Sequence, residues 1–536
     1  MAAKSEDTPG QKLFAAFAGA LLGLALLKFG NPVIFDRLID RPDGFWEMVF
    51  QPWPIAWGYF MLVILALLGG IVIQRPVCLH HSSSNEPFLR TEAFRPLQRS
   101  TPESAQKQPE GCGPHGFRFM GRVHGSETKE ASREPASAPS QEGNLQHRSD
   151  TKLPSSEGLG VGSRAASPNG RAPRWLLALP LAWFIWQLIA GLSTVDPTLT
   201  RTTLLHFAAC VLWFYLGVFV LSPLRSSNLF WVPLMLAFAI VLWVGFEQHH
   251  GGLEATRRYF YEQPDWQKYP PDYLKRIASD RIFSTLVYPN ALAGAILMCG
   301  PAALACTWNL TRRLPRLSRS VATGLVGYMA LACLYWSGSK AGWLIALVLG
   351  VVAMISLPIP RWTKFAVGLA ICLGGLGAFA IKFTSYFQKG ATSVAARFDY
   401  WRAAVTIVRE NPILGTGPGT FSVNYAKIKP PEAEMAKLVH NDYLEQATDS
   451  GLAGLALYLA LVFGHLQFLY RKRILRIRDI TFPVWLGLFA WGLQSFVEFP
   501  LYIPGLAWLA FALLGWLSGL SGLAKLNAFD TEARVG

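Results

Sequence analysis

Twelve times along this 536-residue chain, a run of about twenty apolar residues recurs. Each is long enough to cross a hydrocarbon layer about 30 Å thick as a helix. The runs lie near 13–30, 54–74, 174–192, 203–222, 228–246, 286–306, 319–336, 341–357, 364–382, 452–470, 482–497 and 504–523. Inside such a layer no water pairs with backbone N–H and C=O groups, so the helix, which pairs them internally, is the form these runs must take. The expected fold is therefore all-α: a polytopic membrane protein of about twelve transmembrane helices. Its closest pair of runs is separated only by "SGSK" at 337–340. The first run is followed by no small-residue cleavage site and reads as an uncleaved signal anchor.

Charge follows the same plan. The chain is 51% hydrophobic and only 15% charged, yet its formal net charge is +15. A nucleic-acid partner would need those charges gathered on one surface, but they fall in short segments between apolar runs. Topology explains them, and no nucleic acid is expected. With the N-terminus inside, the basic segments "TRRLPRLSRS" (311–320), "PRWTK" (360–364) and "YRKRILRIR" (470–478) all lie inside as well. The C-terminus is then also cytoplasmic, and 247–285, 337–340, 383–451 and 498–502 lie outside. Residues 79–172 stand apart: rich in Ser, Pro, Gly and charge, they cannot bury enough apolar surface to offset chain entropy. They read as a disordered cytoplasmic linker. Its His80, His81, His115, His124 and His147 belong to a solvated segment rather than a metal tract.

The plan thus divides the chain into two N-terminal helices (1–78), the linker (79–172), helices three to nine (173–382), a large outer loop (383–451), and helices ten to twelve with a tail (452–536). No P-loop, dinucleotide fingerprint or HExxH is present. The seven cysteines have no CxxC spacing, and five lie in apolar runs, so neither a disulfide framework nor a metal site is indicated. His249 and His250 are adjacent, with only Glu247 and Glu254 as nearby carboxylates. "GTGPGT" (415–420) follows "RENPIL" and reads as a turn ending a helix, not a nucleotide site.

The large outer loop carries the candidate chemistry. Val394, Phe398, Trp401, Val405 and Val408 recur at helical spacing, which would lay one face of a helix on the membrane surface, with Arg397, Arg402 and Arg409 opposite. Asn411-Pro412 then stops the helix. His440 follows, flanked by Asn441, Asp442 and Glu445. Histidine suits proton transfer near neutral pH, and a neighbouring carboxylate can fix its tautomer; equally, it can simply cap the coming helix. Lys340, in "SGSKAGW", sits between two apolar runs, either reaching back to water or functional. Arg281 stands just before the sixth run, beside Asn290, as a phosphate ligand or an interfacial anchor. Glu498, at the outer end of the eleventh run, can pair with one of these cations.

The order of "RIFSTLVYPNALAG", "SGSKAGW", "ARFDYWRAAVTIVRENPILGTGPGTF" and "HNDYLEQATDSGLAGLALYL" resembles the O-antigen ligase and polymerase superfamily of bacterial inner membranes, over roughly residues 174–523. The resemblance implies a multi-spanning glycosyltransferase of the GT-C type, without metal or other cofactor, inverting at the transferred sugar. Its donor would be a polyprenyl-diphosphate-linked glycan, and its acceptor lipid A-core, a growing glycan or a protein hydroxyl. The site would be periplasmic. His440 matches the family's loop histidine, proposed to activate the acceptor hydroxyl; Arg281 and Arg397 match its arginines. Lys340 stands where the family usually has Arg, keeping the charge but losing the planar fork. The linker 79–172 is a second departure.

Those elements are shared by ligases, polymerases and protein-directed oligosaccharyltransferases, so the branch stays open at this point. A small-anion transporter would use the same cations as a pathway, but it requires ionisable residues at mid-span, whereas most here lie at span ends. A non-catalytic assembly component, recruiting a cytoplasmic partner through the linker, is the third reading.

Overall fold

The computed structural model describes residues 7–79, 173–224, 227–262, 266–268, 274, 277–388, 392–471, 475 and 479–523. All of the expected linker 79–172 except Leu79, together with its histidines, lies outside the described residues, as do most of 470–478 and the tail beyond 523. The described residues fall in one of two units, 1–83 with 169–536. Among them there is no strand, and every apolar run coincides with a helix.

In chain order these are α1 (Pro9–Lys28), a short α2 (Phe45–Phe50), α3 (Ile55–Leu79), α4 (Arg174–Gly191), α5 (Pro197–Leu216), α6 (Asn228–Glu247), α7 (Leu253–Glu262), α8 (Pro289–Leu310), α9 (Arg316–Trp336), α10 (Lys340–Ser356), α11 (Arg361–Gln388), α12 (Thr392–Glu410), α13 (Phe421–Ile428), α14 (Asp442–Arg471), α15 (Thr481–Gln494) and α16 (Pro504–Leu523). Ten helices, counting α5 with its π-helical extension to Leu221, are long and apolar enough to cross a membrane. The other two expected spans are shorter: α10 has 17 residues and α15 has 14. The protein is a helical membrane protein.

Local chemistry sets several boundaries. Thr8 and Gln11 form a reciprocal capping box on α1. Asp196 caps α5, whose first residue, Pro197, needs no amide partner. The "SGSK" segment is long enough to turn the chain because Ser339 caps α10 by accepting the Gly342 amide.

Between membrane helices there is little hydrophobic driving force, so close approach of backbones must hold the bundle. Gly19 and Gly23 of α1 face α6 so closely that a Cβ at Gly19 would lie 2.1 Å from the Phe230 carbonyl oxygen. Gly515 and Gly519 do the same for α16 against α5, with a Cβ at Gly515 only 2.0 Å from the Phe214 carbonyl. Both pairs have GxxxG spacing. By contrast, the most apolar stretch of α11 has no fully buried residue, and a Cβ at Gly368 or Gly374 would meet nothing. Gly515→Leu should therefore destabilise the bundle by about 1–3 kcal/mol or more, whereas Gly368→Leu should leave it unchanged. Thermal unfolding of the two purified variants in the same detergent checks this; equal midpoints would contradict the packing argument.

Candidate functional site

The loop before α14 is placed by backbone contacts. α14 is not continuous: Ser450 and Gly451 leave helical geometry, with Gly451 at φ 70, which separates a buried first segment from the apolar span beyond. The glycine-rich turn docks into that break. The Thr416 and Gly417 amides donate to the carbonyls of Thr448 and Asp449, and the Leu452 amide donates to that of Pro412. A Cβ at Gly415 would lie 2.5 Å from the Asp449 and Ser450 backbone, and one at Gly451 only 2.1 Å from the Ile413 oxygen. Gly415, Gly417 and Gly419 all have positive φ. "GTGPGT" is thus a packing turn, as the sequence suggested.

α12 leads into this turn. Its buried face is Tyr400, Ala403, Ala404 and Ile407, which pack with Phe421 and Tyr425 of α13. The stripe expected to meet the membrane is partly exposed: Val394, Phe398 and Val405 point outward, as a surface-lying helix requires, while Trp401 packs against the inner cluster. Arg402 is exposed, 3.6 Å from Asp399, and takes no part in the site. Arg397 turns inward.

It meets Glu498, which is the hub. Arg397 Nη2 donates to Glu498 Oε1, and Asn290 Nδ2 donates to the same oxygen at 2.5 Å. His440 Nδ1 lies 3.2 Å from Glu498 Oε2. Arg281 Nη2 donates to Asn290 Oδ1 at 2.8 Å, and its Nε donates to the Ser337 carbonyl at 2.8 Å, in the turn that precedes Lys340. The Glu498 side chain is 7% exposed. Burial by itself raises a carboxyl; here the Arg397 charge and the His440 contact outweigh it and hold Glu498 below the ordinary carboxylate range.

An ionised carboxylate only accepts hydrogen bonds, so the proton of a neutral His440 sits on Nδ1 and donates to Glu498. Nε2 keeps its lone pair. The ring itself is held between Phe499, 4.7 Å away at 69°, and Tyr400, 5.8 Å away at 26°.

The sequence placed a carboxylate beside His440 but pointed to its chain neighbours, and there the structure differs. Asp442 is fully buried: its amide donates to the Ser495 carbonyl, and its Oδ2 accepts the Leu501 amide. Glu445 is also fully buried, with Oε2 accepting the Val439 amide at 2.5 Å. Asn441 caps the helix through Oδ1, accepting from Tyr443 and Leu444. These three hold the backbone around His440, which has φ 57, a left-handed conformation that costs a non-glycine residue about 1–2 kcal/mol. The sequence set Glu445 beside His440 only as a flanking carboxylate; its bond to the Val439 amide is what the structure adds.

Lys340 stands at the edge of this chain of contacts. Its Nζ lies 3.8 Å from the Tyr386 ring centre and 5.2 Å from that of Phe383. Among the described residues neither Lys340 nor Arg281 has a carboxylate within ion-pair distance. Counting charges among the described residues, Arg397 and Glu498 cancel, while Arg281 and Lys340 have no carboxylate to answer them. Among the described residues no group of three His, Cys, Asp or Glu is placed to hold a metal ion, and His249 stacks on Trp336 at 3.9 Å.

Residues 325–459 match the family model described as O-antigen ligase, which supports kinship with the O-antigen ligase and polymerase superfamily over that segment. That span includes Lys340, Arg397 and His440, while Arg281 and Glu498 lie outside it. An uncharacterized protein of Haemophilus influenzae is 29% identical over 151 residues, which cover 24% of this chain and 37% of the relative. The chain thus matches little more than a third of that relative's length.

Glu498→Gln keeps the volume and removes the charge, so at neutral pH it should lower stability by about 3 kcal/mol, the cost of stranding a paired charge. A carboxyl lowered by folding stabilises above its ordinary 4.5, and that contribution is lost as pH falls through the lowered value. The gap between wild type and variant should therefore be constant above pH 4.5 and close below it. Unfolding midpoints across pH test this, and a gap that persists in acid would show that Glu498 does not act as a charge.

Proposed function

We propose that the chain is a glycosyltransferase of the O-antigen ligase type, moving a glycan from a polyprenyl-diphosphate carrier to an acceptor hydroxyl at the periplasmic face of the inner membrane. The observation that carries this reading is a histidine held through Nδ1 by Glu498, beside two cations that have no carboxylate within ion-pair distance among the described residues. A diphosphate leaving group is the natural occupant of such a place.

In this reading His440 Nε2 takes the proton of the acceptor hydroxyl as its oxygen attacks the anomeric carbon. The glycosidic C–O bond to the diphosphate breaks on the opposite side, and the leaving oxygen keeps the electron pair. One displacement inverts the configuration. Arg281 and Lys340 stabilise the charge that develops on the diphosphate, in a setting drier than bulk water, where such contacts are strong. Arg397 has a different part from the one the resemblance implied. Its donors go to Glu498, Val497 and Ser393, so it keeps Glu498 ionised, and Glu498 in turn orients His440. Proton transfer to His440 during attack leaves the imidazolium directly against that carboxylate.

Ligase, polymerase and protein-directed transferase chemistry all use these steps, and the acceptor separates them. Surface-glycan profiles of cells lacking the protein discriminate: long chains stranded on the lipid carrier mark the ligase, single undecorated units the polymerase.

His440→Ala should reduce glycan transfer by about 10²–10⁴-fold while the protein still inserts in the membrane. Retained transfer would sink the assignment. Glu445 acts through the Val439 amide, so Glu445→Ala strands a buried N–H, at a cost of about 1–3 kcal/mol, and should lower transfer about tenfold or more. Glu445→Gln still offers an amide oxygen and should restore most of it. Equal loss in both variants, at equal membrane levels, would mean that the carboxylate charge rather than the hydrogen bond matters.

A further inference from the structure

At the end of the bundle that carries His440, a groove of about 330 Å³ opens between α4 and α5. Phe184, Leu188 and Leu205 line it, and Thr194, Thr200 and Arg201 stand where the two helices meet their connecting loop. Leu188 and Leu205 are 44% and 51% exposed, so the groove faces away from the protein core. Both helices are long and apolar enough to be membrane spans, so what surrounds this face is hydrocarbon.

Arg201 gives the groove a polarity. It is the fifth residue of α5, roughly 6 Å along the helix axis from the first. So near the end of a membrane span, a long guanidinium side chain can reach the lipid phosphates. Arg201 is exposed and has no ion-pair partner among the described residues. The carboxylate closest in sequence, Asp196, is occupied in capping α5: its Oδ1 accepts the Thr198 and Leu199 amides at 2.9 and 3.1 Å. An apolar groove with an unanswered guanidinium at its interfacial end is complementary to an anionic lipid.

We propose that this groove holds one acyl chain of an anionic diacyl phospholipid of the surrounding leaflet, with its phosphate on Arg201. The groove is distinct from the candidate site. Its lining includes none of Arg281, Lys340, Arg397, His440 or Glu498. A lipid at Arg201 is therefore a second lipid rather than a glycan donor, and the proposal does not rest on the function proposed above.

The position also links lipid to loop. Thr200 Oγ1 donates to the Pro418 carbonyl at 3.0 Å, and the Val195 amide donates to the Thr416 carbonyl at 3.0 Å. A Cβ at Gly417 would lie 2.3 Å from Thr194 Oγ1. The groove wall is thus also the seat of the glycine-rich turn, and that turn clasps the break in α14. An occupied groove stiffens the seat.

The test uses the full chain in phosphatidylcholine nanodiscs containing a small fraction of phosphatidylglycerol with a photoactivatable diazirine on its acyl chain. Mass spectrometry of the irradiated protein should find the label within 184–208. Arg201→Gln should lower it about fivefold, the factor expected from one interfacial cation. Leu205→Trp, which fills the groove and keeps the cation, should lower it as well, and the unfolding midpoint of each variant verifies that it folds. Phosphatidylcholine carrying the same diazirine should label weakly and equally in wild type and Arg201→Gln. Equal labelling by the two lipids, or labelling indifferent to Arg201→Gln, would reduce the groove to ordinary lipid contact and overturn the proposal. Displacement of the label by polyprenyl phosphate, where excess unlabelled phosphatidylglycerol fails to displace it, would overturn it in favour of a carrier-lipid site.

Discussion

A buried carboxylate is expensive unless its charge is answered, and the candidate site is built around one that is. Glu498 accepts from Arg397, Asn290 and His440, three residues from three separate parts of the chain. Each contact satisfies the charge, and each also fixes an element. Arg397 draws α12 over the end of α15, Asn290 ties in the start of α8, and His440 locks the segment leading into α14. Arg281 is then reached through Asn290 rather than directly. The site is thus one connected hydrogen-bond network, and its geometry depends on Glu498 staying ionised.

Such a network needs a stiff frame, which comes from backbone rather than side-chain packing. His440 sits in a left-handed conformation that its own side chain does not favour. It persists because the backbone on both sides is tied: the Val439 amide to Glu445 and the Asp442 amide to Ser495. Behind them, the turn around Gly415 fits into the break at Gly451 so closely that neither position has room for a Cβ. The strain at His440 and the glycines behind it belong to one arrangement. The histidine is held at an angle that a relaxed loop would not give it.

The helices were legible because lipid imposes a length, and a run of twenty apolar residues is a signal that survives any tertiary context. The short runs 341–357 and 482–497 met helices of 17 and 14 residues, the second of them buried over most of its length. His440, Arg281 and Arg397 were legible as residue types placed at helix ends. What the sequence left open was partner choice. Asp442 lies two residues from His440 and Glu498 lies 58 away, yet the distant carboxylate meets the ring, because the helix beginning at Asp442 turns that side chain into the protein toward Leu501. The role of Glu445 was hidden for the same reason: its carboxylate reaches backward along the chain, against the direction in which a motif is read.

The balance of charge then separates the cations that looked alike in sequence. Arg397 spends its guanidinium on Glu498 and two carbonyls, whereas Arg281 has no carboxylate within ion-pair distance among the described residues. Lys340 rests on the Tyr386 ring, a weak attachment of about 0.5–2 kcal/mol that an anion can outbid. An arginine there would lie flat on the ring and hold its fork in one plane; lysine offers a point charge on a flexible stem, free to leave the ring and follow an anion. A lysine here gives up fixed bidentate geometry for reach. With Arg281 anchored and Lys340 mobile, the pair suits a ligand whose charge shifts between oxygens as a bond breaks. A conduction path would instead need cations strung through the span, and these two sit together at its end.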